Sequence, residues 1–118
     1  MPGYRIDRIS EDIRRETVSV IRELKDPRVQ NVLLTVVRVE VSSDASYAKV
    51  YISALDGIET AKRAVEGLTG ATGYIRREVG GRLHLRKTPE LRFIADDSVE
   101  QGFKMFDKFE RQEKKDDN

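Results

Sequence analysis

Cysteine and tryptophan are absent from these 118 residues, histidine occurs once and proline three times. Without cysteine there is no disulfide, no thiolate metal ligand and no thiol nucleophile, a composition that fits a reducing compartment. Without tryptophan, and with only four Phe and four Tyr, the core must come mainly from Ile, Val and Leu. The lone His84 cannot assemble a metal site, and no Ser stands at a spacing that would make it a catalytic base. No apolar run approaches the ~20 residues needed to span a bilayer, and Met1-Pro2-Gly3-Tyr4-Arg5 lacks the apolar stretch of a signal peptide. The expectation is a cytoplasmic protein with no membrane segment, no cofactor, no metal and no catalytic apparatus.

Net charge is also nearly absent, with 22 basic against 21 acidic residues. That balance argues against indiscriminate binding to nucleic acid. It is unevenly spread, however. The segment from Lys62 to Arg92 holds eight Arg/Lys and three Asp/Glu, leaving fourteen basic and eighteen acidic residues elsewhere. A local basic face is therefore set in an otherwise acidic chain, long enough for one domain with a real core.

Ile6, Ile9, Ile13, Thr17, Val20, Ile21 and Leu24 recur every three or four positions, predicting a helix that Asp26-Pro27-Arg28 ends, since the residue before proline is pushed out of the α region. Leu33 to Val41 reads as a strand with its odd positions mostly apolar. Ser42-Ser43-Asp44-Ala45 is turn chemistry. In Tyr47 to Ser53, Ala48, Val50 and Ile52 face the core and Tyr47, Lys49 and Tyr51 the other side. Asp56 and Glu59 have capping-box spacing before a helix with Ile58, Ala61, Val65 and Leu68 on its stripe. Gly70 and Gly73 interrupt that helix; Tyr74, Ile75 and Val79 open a second, which Gly80-Gly81 weakens and Pro89 closes. Leu91 to Ala95 is a short third strand. Asp97-Ser98 caps a last helix with Val99, Phe103, Phe106 and Phe109 inside. The fold expected is α+β: helix, two strands, two helices separated by a kink, strand, helix, giving a three-stranded sheet with the helices packed on one face. Residues 1–109 form the domain and 110–118 a charged tail expected to be disordered.

The segment that carries chemistry is Gly67-Leu68-Thr69-Gly70-Ala71-Thr72-Gly73-Tyr74-Ile75-Arg76-Arg77. Glycine at a helix-to-helix bend lets phosphate approach free backbone N–H groups, and Lys62, Arg63, Arg76, Arg77, Arg82, Arg86 and Lys87 surround that bend in sequence. RNA is the first partner these residues suggest, through phosphate contacts that fix orientation more than sequence. The alternative for each is structural: a turn that needs glycine, and a solvated face with scattered salt bridges. Arg8, Arg15 and Arg22 form a stripe on the first helix, for which neutralisation by Asp12, Glu16 and Glu23 is preferred and a secondary RNA contact is the alternative. Tyr47 and Tyr51 read as cross-strand support before base-stacking platforms. Asp96-Asp97 reads as a cap before a Mg²⁺ site. The glycines at 67, 70 and 73 match no nucleotide-binding spacing.

These pieces, taken in order, resemble the ribosome-binding factor A family. The resemblance rests on Asp26-Pro27-Arg28, Ala48-x-Val50-Tyr51-Ile52-Ser53, Leu68-x-x-Ala71-x-Gly73-Tyr74-Ile75-Arg76, Leu85-Arg86-x-x-Pro89-Glu90-Leu91-x-Phe93 and Asp96-Asp97-Ser98. It implies a type II KH-like domain whose Gly-x-x-Gly loop is replaced by a helix–kink–helix, with Ala71, Thr72 and Gly73 at the kink. This chain departs in having Gly70, so that Gly70-Ala71-Thr72-Gly73 also reads as a literal Gly-x-x-Gly, and in having Gly80-Gly81. The resemblance further implies a monomeric, non-catalytic factor. Such a factor binds free small ribosomal subunits, assists late folding and processing of their rRNA, and leaves before translation, with an assembly GTPase as releasing partner. The rivals are a general KH-type binder of single-stranded RNA, a small enzyme acting on a phosphorylated ligand at the bend, and a protein-docking module using the outer strand face.

Overall fold

The structure, a computed structural model, describes residues 2–98, with side chains from Ile6 onward. Its elements are α1 (Pro2–Glu23), α2 (Pro27–Gln30), β1 (Leu34–Val41), β2 (Tyr47–Ala54), α3 (Ile58–Gly70), α4 (Thr72–Leu83) and β3 (Glu90–Ala95). β2 is the central strand. It pairs antiparallel with β1 through a tight hairpin and parallel with β3. A parallel neighbour needs a crossover, and α3–α4 supply it. α1 packs on β1 and α4, and α3 packs on β2 and β3, so the helices share one face of the sheet. The expected last helix and its inner face of Val99, Phe103, Phe106 and Phe109, together with the tail 110–118, lie outside the described residues.

The alternation in β2 is realised in full. Ala48, Val50 and Ile52 have no exposed surface and meet Ile13 and Val20 of α1, Leu68 of α3, Ile75 and Val79 of α4, and Leu91 and Phe93 of β3. Among the described residues one polar side chain sits in this core: Thr17 is fully buried and its hydroxyl finds no hydrogen-bond partner there. Burying an unpaired hydroxyl is unfavourable. Thr17→Val, which keeps the branched shape, is expected to stabilise the fold by about 1 kcal/mol, read as a higher urea midpoint at unchanged slope. A lower midpoint would mean that the hydroxyl has a partner after all.

β1 departs from its expected phase. Val36 pairs with Ile52 but Arg38 with Tyr51, so Val37 is an extra residue that leaves the ladder as a bulge. Before it the even positions face inward, with Val36 buried and Leu33 exposed; after it the odd position Val39 is buried. Strict odd-position alternation therefore holds for only half the strand.

The hairpin turn is held by Asp44, whose carboxylate accepts from the Ser42 hydroxyl at 2.8 Å, the Ser46 hydroxyl at 2.7 Å and the Ser46 N–H at 3.1 Å. These bonds, that of the Ser46 hydroxyl first, pull its pKa from 3.8 to about 2. A depressed folded-state value means that its contribution is complete above about pH 4 and is lost as pH falls through about 2. The Tm deficit of Asp44→Ala should accordingly be present at neutral pH and vanish towards pH 2; a deficit independent of pH would refute the ionic origin.

Two helix boundaries correct the sequence reading. Asp26-Pro27-Arg28 not only ends α1 but opens α2, with Asp26 capping the Arg28 N–H at 2.9 Å and held by the Arg28 guanidinium at 3.1 and 2.8 Å. Asp56 does not cap α3. Gly57 is the N-cap residue, at φ 110°, and no side chain bonds there. The chain turns through a backbone conformation that glycine tolerates and aspartate does not, which removes Asp56 from capping position. Gly80-Gly81, read as weakening the second helix of the pair, lie inside α4, which runs to Leu83. Gly80 is buried where the 84–89 loop closes on the helix: a Cβ there would collide with the Thr88 side chain, whereas one at Gly81 would meet nothing within 4 Å.

Candidate nucleic-acid interface

The junction of α3 and α4 is one residue long. Ala71, at φ −101° and ψ 12°, is the only non-helical residue between Gly70 and Thr72. Its N–H bonds the carbonyls of Gly67 at 3.2 Å and Leu68 at 3.1 Å, and its own carbonyl accepts from the Ile75 N–H at 3.0 Å. The Thr72 hydroxyl donates to the carbonyls of Thr69 at 2.7 Å and Leu68 at 3.3 Å, closing the end of α3. The bend is therefore a helix–kink–helix and not an open loop. Neither Gly70 nor Gly73 adopts a positive φ, and a Cβ on either would meet nothing within 4 Å. Neither backbone conformation nor packing requires glycine at these two positions. Both leave bare helix backbone facing outward beside the kink.

The basic residues fall into two groups. Arg76 and Arg82 are engaged. The Arg76 guanidinium donates to the Thr88 carbonyl at 2.6 and 3.1 Å and to the Pro89 carbonyl at 3.3 Å, fastening the 84–89 loop along α4. Arg82 donates to the Glu23 carboxylate at 2.9 and 3.0 Å and to the Ser19 hydroxyl at 3.1 Å, with Glu78 at 3.7 Å. Among the described residues Lys62 reaches only Glu59, at 3.5 Å between two exposed side chains, a contact of little energy. By contrast Arg63, Arg77, Arg86 and Lys87 are exposed and make no hydrogen bond or ion pair among the described residues. Gly73, Arg77 and Gly81 follow at intervals of four along α4, so this unpaired guanidinium stands between two bare stretches of backbone.

The loop that carries Arg86 and Lys87 is fixed at its other end as well. The Leu85 N–H bonds the Gly80 carbonyl at 3.0 Å and the His84 N–H the Gly81 carbonyl at 3.3 Å, while His84 itself is left-handed at φ 54°. This is a Schellman closure with a non-glycine residue at the turn. With Gly80 against Thr88, Pro89 fully buried and Arg76 on the carbonyls, both ends of the short basic loop are anchored.

On α1, Arg15 is paired with Asp12 at 3.2 Å and lies 3.7 Å from Glu16. Arg8 and Arg22 are exposed and unpaired among the described residues; Asp12 is taken by Arg15 and Glu23 by Arg82. On the open sheet face each tyrosine of β2 carries a guanidinium: Arg38 lies 3.9 Å from the ring centre of Tyr51 and Arg92 4.3 Å from that of Tyr47. Tyr51 also donates to Glu40 at 3.1 Å. Both rings are used in cross-strand support. Asp96 is engaged within the chain: its carboxylate accepts the Ser98 N–H at 2.6 Å and pairs with Arg38 at 3.3 Å, and the Ser98 bonds lower its pKa. Among the described residues no group of three or more acidic or histidine side chains could hold a metal ion, and no helix is long and apolar enough to cross a membrane.

Three features could not be read from sequence spacing: the Glu23–Arg82 pair, the carbonyls that hold Arg76, and the exposure of Tyr74. The last left a faint signal, since Ile75 and Val79 define the buried stripe of α4 and position 74 falls off it.

A three-stranded mixed sheet, helices on one face and a kinked helix pair edged with unpaired cations define a KH-like α+β domain. Residues 5–109 match the ribosome-binding factor A family. The ribosome-binding factor A of Acetivibrio thermocellus is 48% identical over 99 residues, covering 83% of this chain and 80% of that one. The crystal structure of ribosome-binding factor A from Thermus thermophilus superposes with a TM-score of 0.67 at 29% identity, over 76% of this chain and 93% of the other. Coordinates of the Thermus thermophilus factor fitted into a cryo-EM map of its complex with the 30S subunit superpose at 0.63 and 29% identity, over 75% and 92%. The chain belongs to the ribosome-binding factor A family.

Proposed function

We propose that this protein is a non-catalytic assembly factor that binds the free small ribosomal subunit through its rRNA. The observation that carries this reading is the set of four exposed, unpaired cations (Arg63, Arg77, Arg86 and Lys87) on the two helices and the loop around a kink whose glycines leave backbone open. Phosphate needs both features: positive charge not already neutralised, and room to come close to N–H groups. The complex of the Thermus thermophilus factor with the 30S subunit supports the choice of partner. In this scheme Ala71, Thr72 and Gly73 form the point of closest approach. Lys62 adds to the surrounding field, Arg76 and Arg82 hold the platform, and Arg8 and Arg22 offer a secondary contact. Binding favours one rRNA conformation by differential affinity, assisting late folding and processing. The protein acts as a monomer in the cytoplasm and is released by an assembly GTPase before translation. Co-sedimentation with purified small subunits, large subunits and intact ribosomes across a salt series tests the reading. Selective, salt-sensitive binding to free small subunits is expected; absence of such binding at low salt would overturn it, and binding to short single-stranded RNAs instead would favour the general KH-type alternative.

A further inference from the structure

Three tyrosines have described side chains, and they are not used alike. Tyr47 and Tyr51 lie under guanidinium groups on the sheet. Tyr74 is 42% exposed and makes no hydrogen bond or ring contact among the described residues. It stands immediately after Gly73 and four residues after Gly70, the two positions where the helix surface is bare. Arg77, unpaired, follows it by one helical turn, on the same side of α4.

Leu33 and Leu55 are more exposed still, at 71% and 77%, so exposure by itself marks no site; Tyr74 differs in standing beside bare helix backbone and an unpaired guanidinium. The surroundings define what would cover it. Open backbone and an unpaired guanidinium suit a phosphate, and a planar ring within a nucleotide's length of that phosphate suits the base attached to it. We infer that Tyr74 is a stacking platform for one unpaired nucleobase, whose own or adjacent phosphate lies at the Gly70–Gly73 kink beside Arg77. The site then selects rRNA in which a base is splayed out of its stack, and not a continuous duplex whose bases are already covered. This rests on the function proposed above and adds the element that pure phosphate contacts lack, a preference for an opened RNA conformation.

The test uses the full chain and purified free small subunits. Tyr74→Leu keeps apolar bulk but removes the π face, and should weaken binding about tenfold; Tyr74→Phe should bind within about twofold of wild type. Neither should alter the slope of log affinity against log salt, because no cation is lost, whereas Arg77→Ala should lower that slope by about one. Because the chain has no tryptophan, Tyr74→Trp places a single indole at the site, and its emission should be quenched on adding small subunits. Wild-type affinity in Tyr74→Leu, or unquenched and blue-shifted emission from Tyr74→Trp, would overturn the stacking role while leaving the phosphate contacts standing. Failure of the wild-type protein itself to bind small subunits would overturn both.

Discussion

Replacing Arg63, Arg77, Arg86 and Lys87 together by alanine is expected to lower affinity for free small subunits by roughly a hundredfold to a thousandfold near 0.1 M salt. The estimate follows from counterion release. Each cation that neutralises a phosphate contributes about 0.7–0.9 to the slope of log affinity against log salt, so four such contacts give a slope of about 3. The variant should retain little of that slope, and should unfold at nearly the wild-type temperature, because none of the four side chains makes an intramolecular polar contact among the described residues. Arg82→Ala supplies the contrast. Its charge is already met by Glu23 at 2.9 Å, so its loss should leave the salt slope unchanged and appear as a modest fall in stability. Co-sedimentation over a salt series, with thermal unfolding alongside, separates the two. Equal losses of slope from Arg82→Ala and from any one of the four would show that intramolecular pairing does not decide which arginines reach RNA.

Gly80→Val is expected to be the most damaging single change to the fold, costing about 2–3 kcal/mol and lowering Tm by roughly 10 °C or more. A Cβ at this position enters the space of the Thr88 side chain, with the Thr88 Cβ itself at 3.2 Å. The loop cannot easily retreat, because Arg76 holds the Thr88 and Pro89 carbonyls and Pro89 is fully buried. The neighbouring glycine gives the opposite result. Gly81 faces open space within a continuous helix, so Gly81→Ala should raise stability by about 1 kcal/mol through helix propensity and a less flexible unfolded chain. Thermal melts of the two variants check the pair, and Thr88→Ala should restore part of what Gly80→Ala loses. A Gly80→Val protein that melts with the wild type would mean that the 84–89 loop does not close on α4 as described.

Much of the architecture was legible because period and turn chemistry act locally. The alternation of Ala48, Val50 and Ile52 fixed the inner face of β2, Asp26-Pro27 fixed the end of α1, and the glycines of 67–73 marked a bend. The misreadings share one cause. Asp56 and Glu59 have capping-box spacing, yet the backbone at Gly57 turns the other way. The odd-position pattern of β1 overlooked Val37, whose extra residue is visible only against its partner strand. The reason for glycine at position 80 was out of reach in the same way, because the side chain that needs the space, Thr88, belongs to another segment.

The candidate site divides along the same line. That 62–92 is basic, that a kink lies at its centre, and that the chain resembles the ribosome-binding factor A family could be read before folding, because composition, helical period and motif order are properties of residues near one another along the chain. Which cations remain available depends on the folded chain. Glu23 and Arg82 are 59 residues apart in sequence and 2.9 Å apart in space, and Arg76 is used by carbonyls twelve and thirteen residues ahead of it. Ion pairing and hydrogen bonding depend on distance through space, so a charge counted as free along the chain is spent or available only once the fold has brought its neighbours to it.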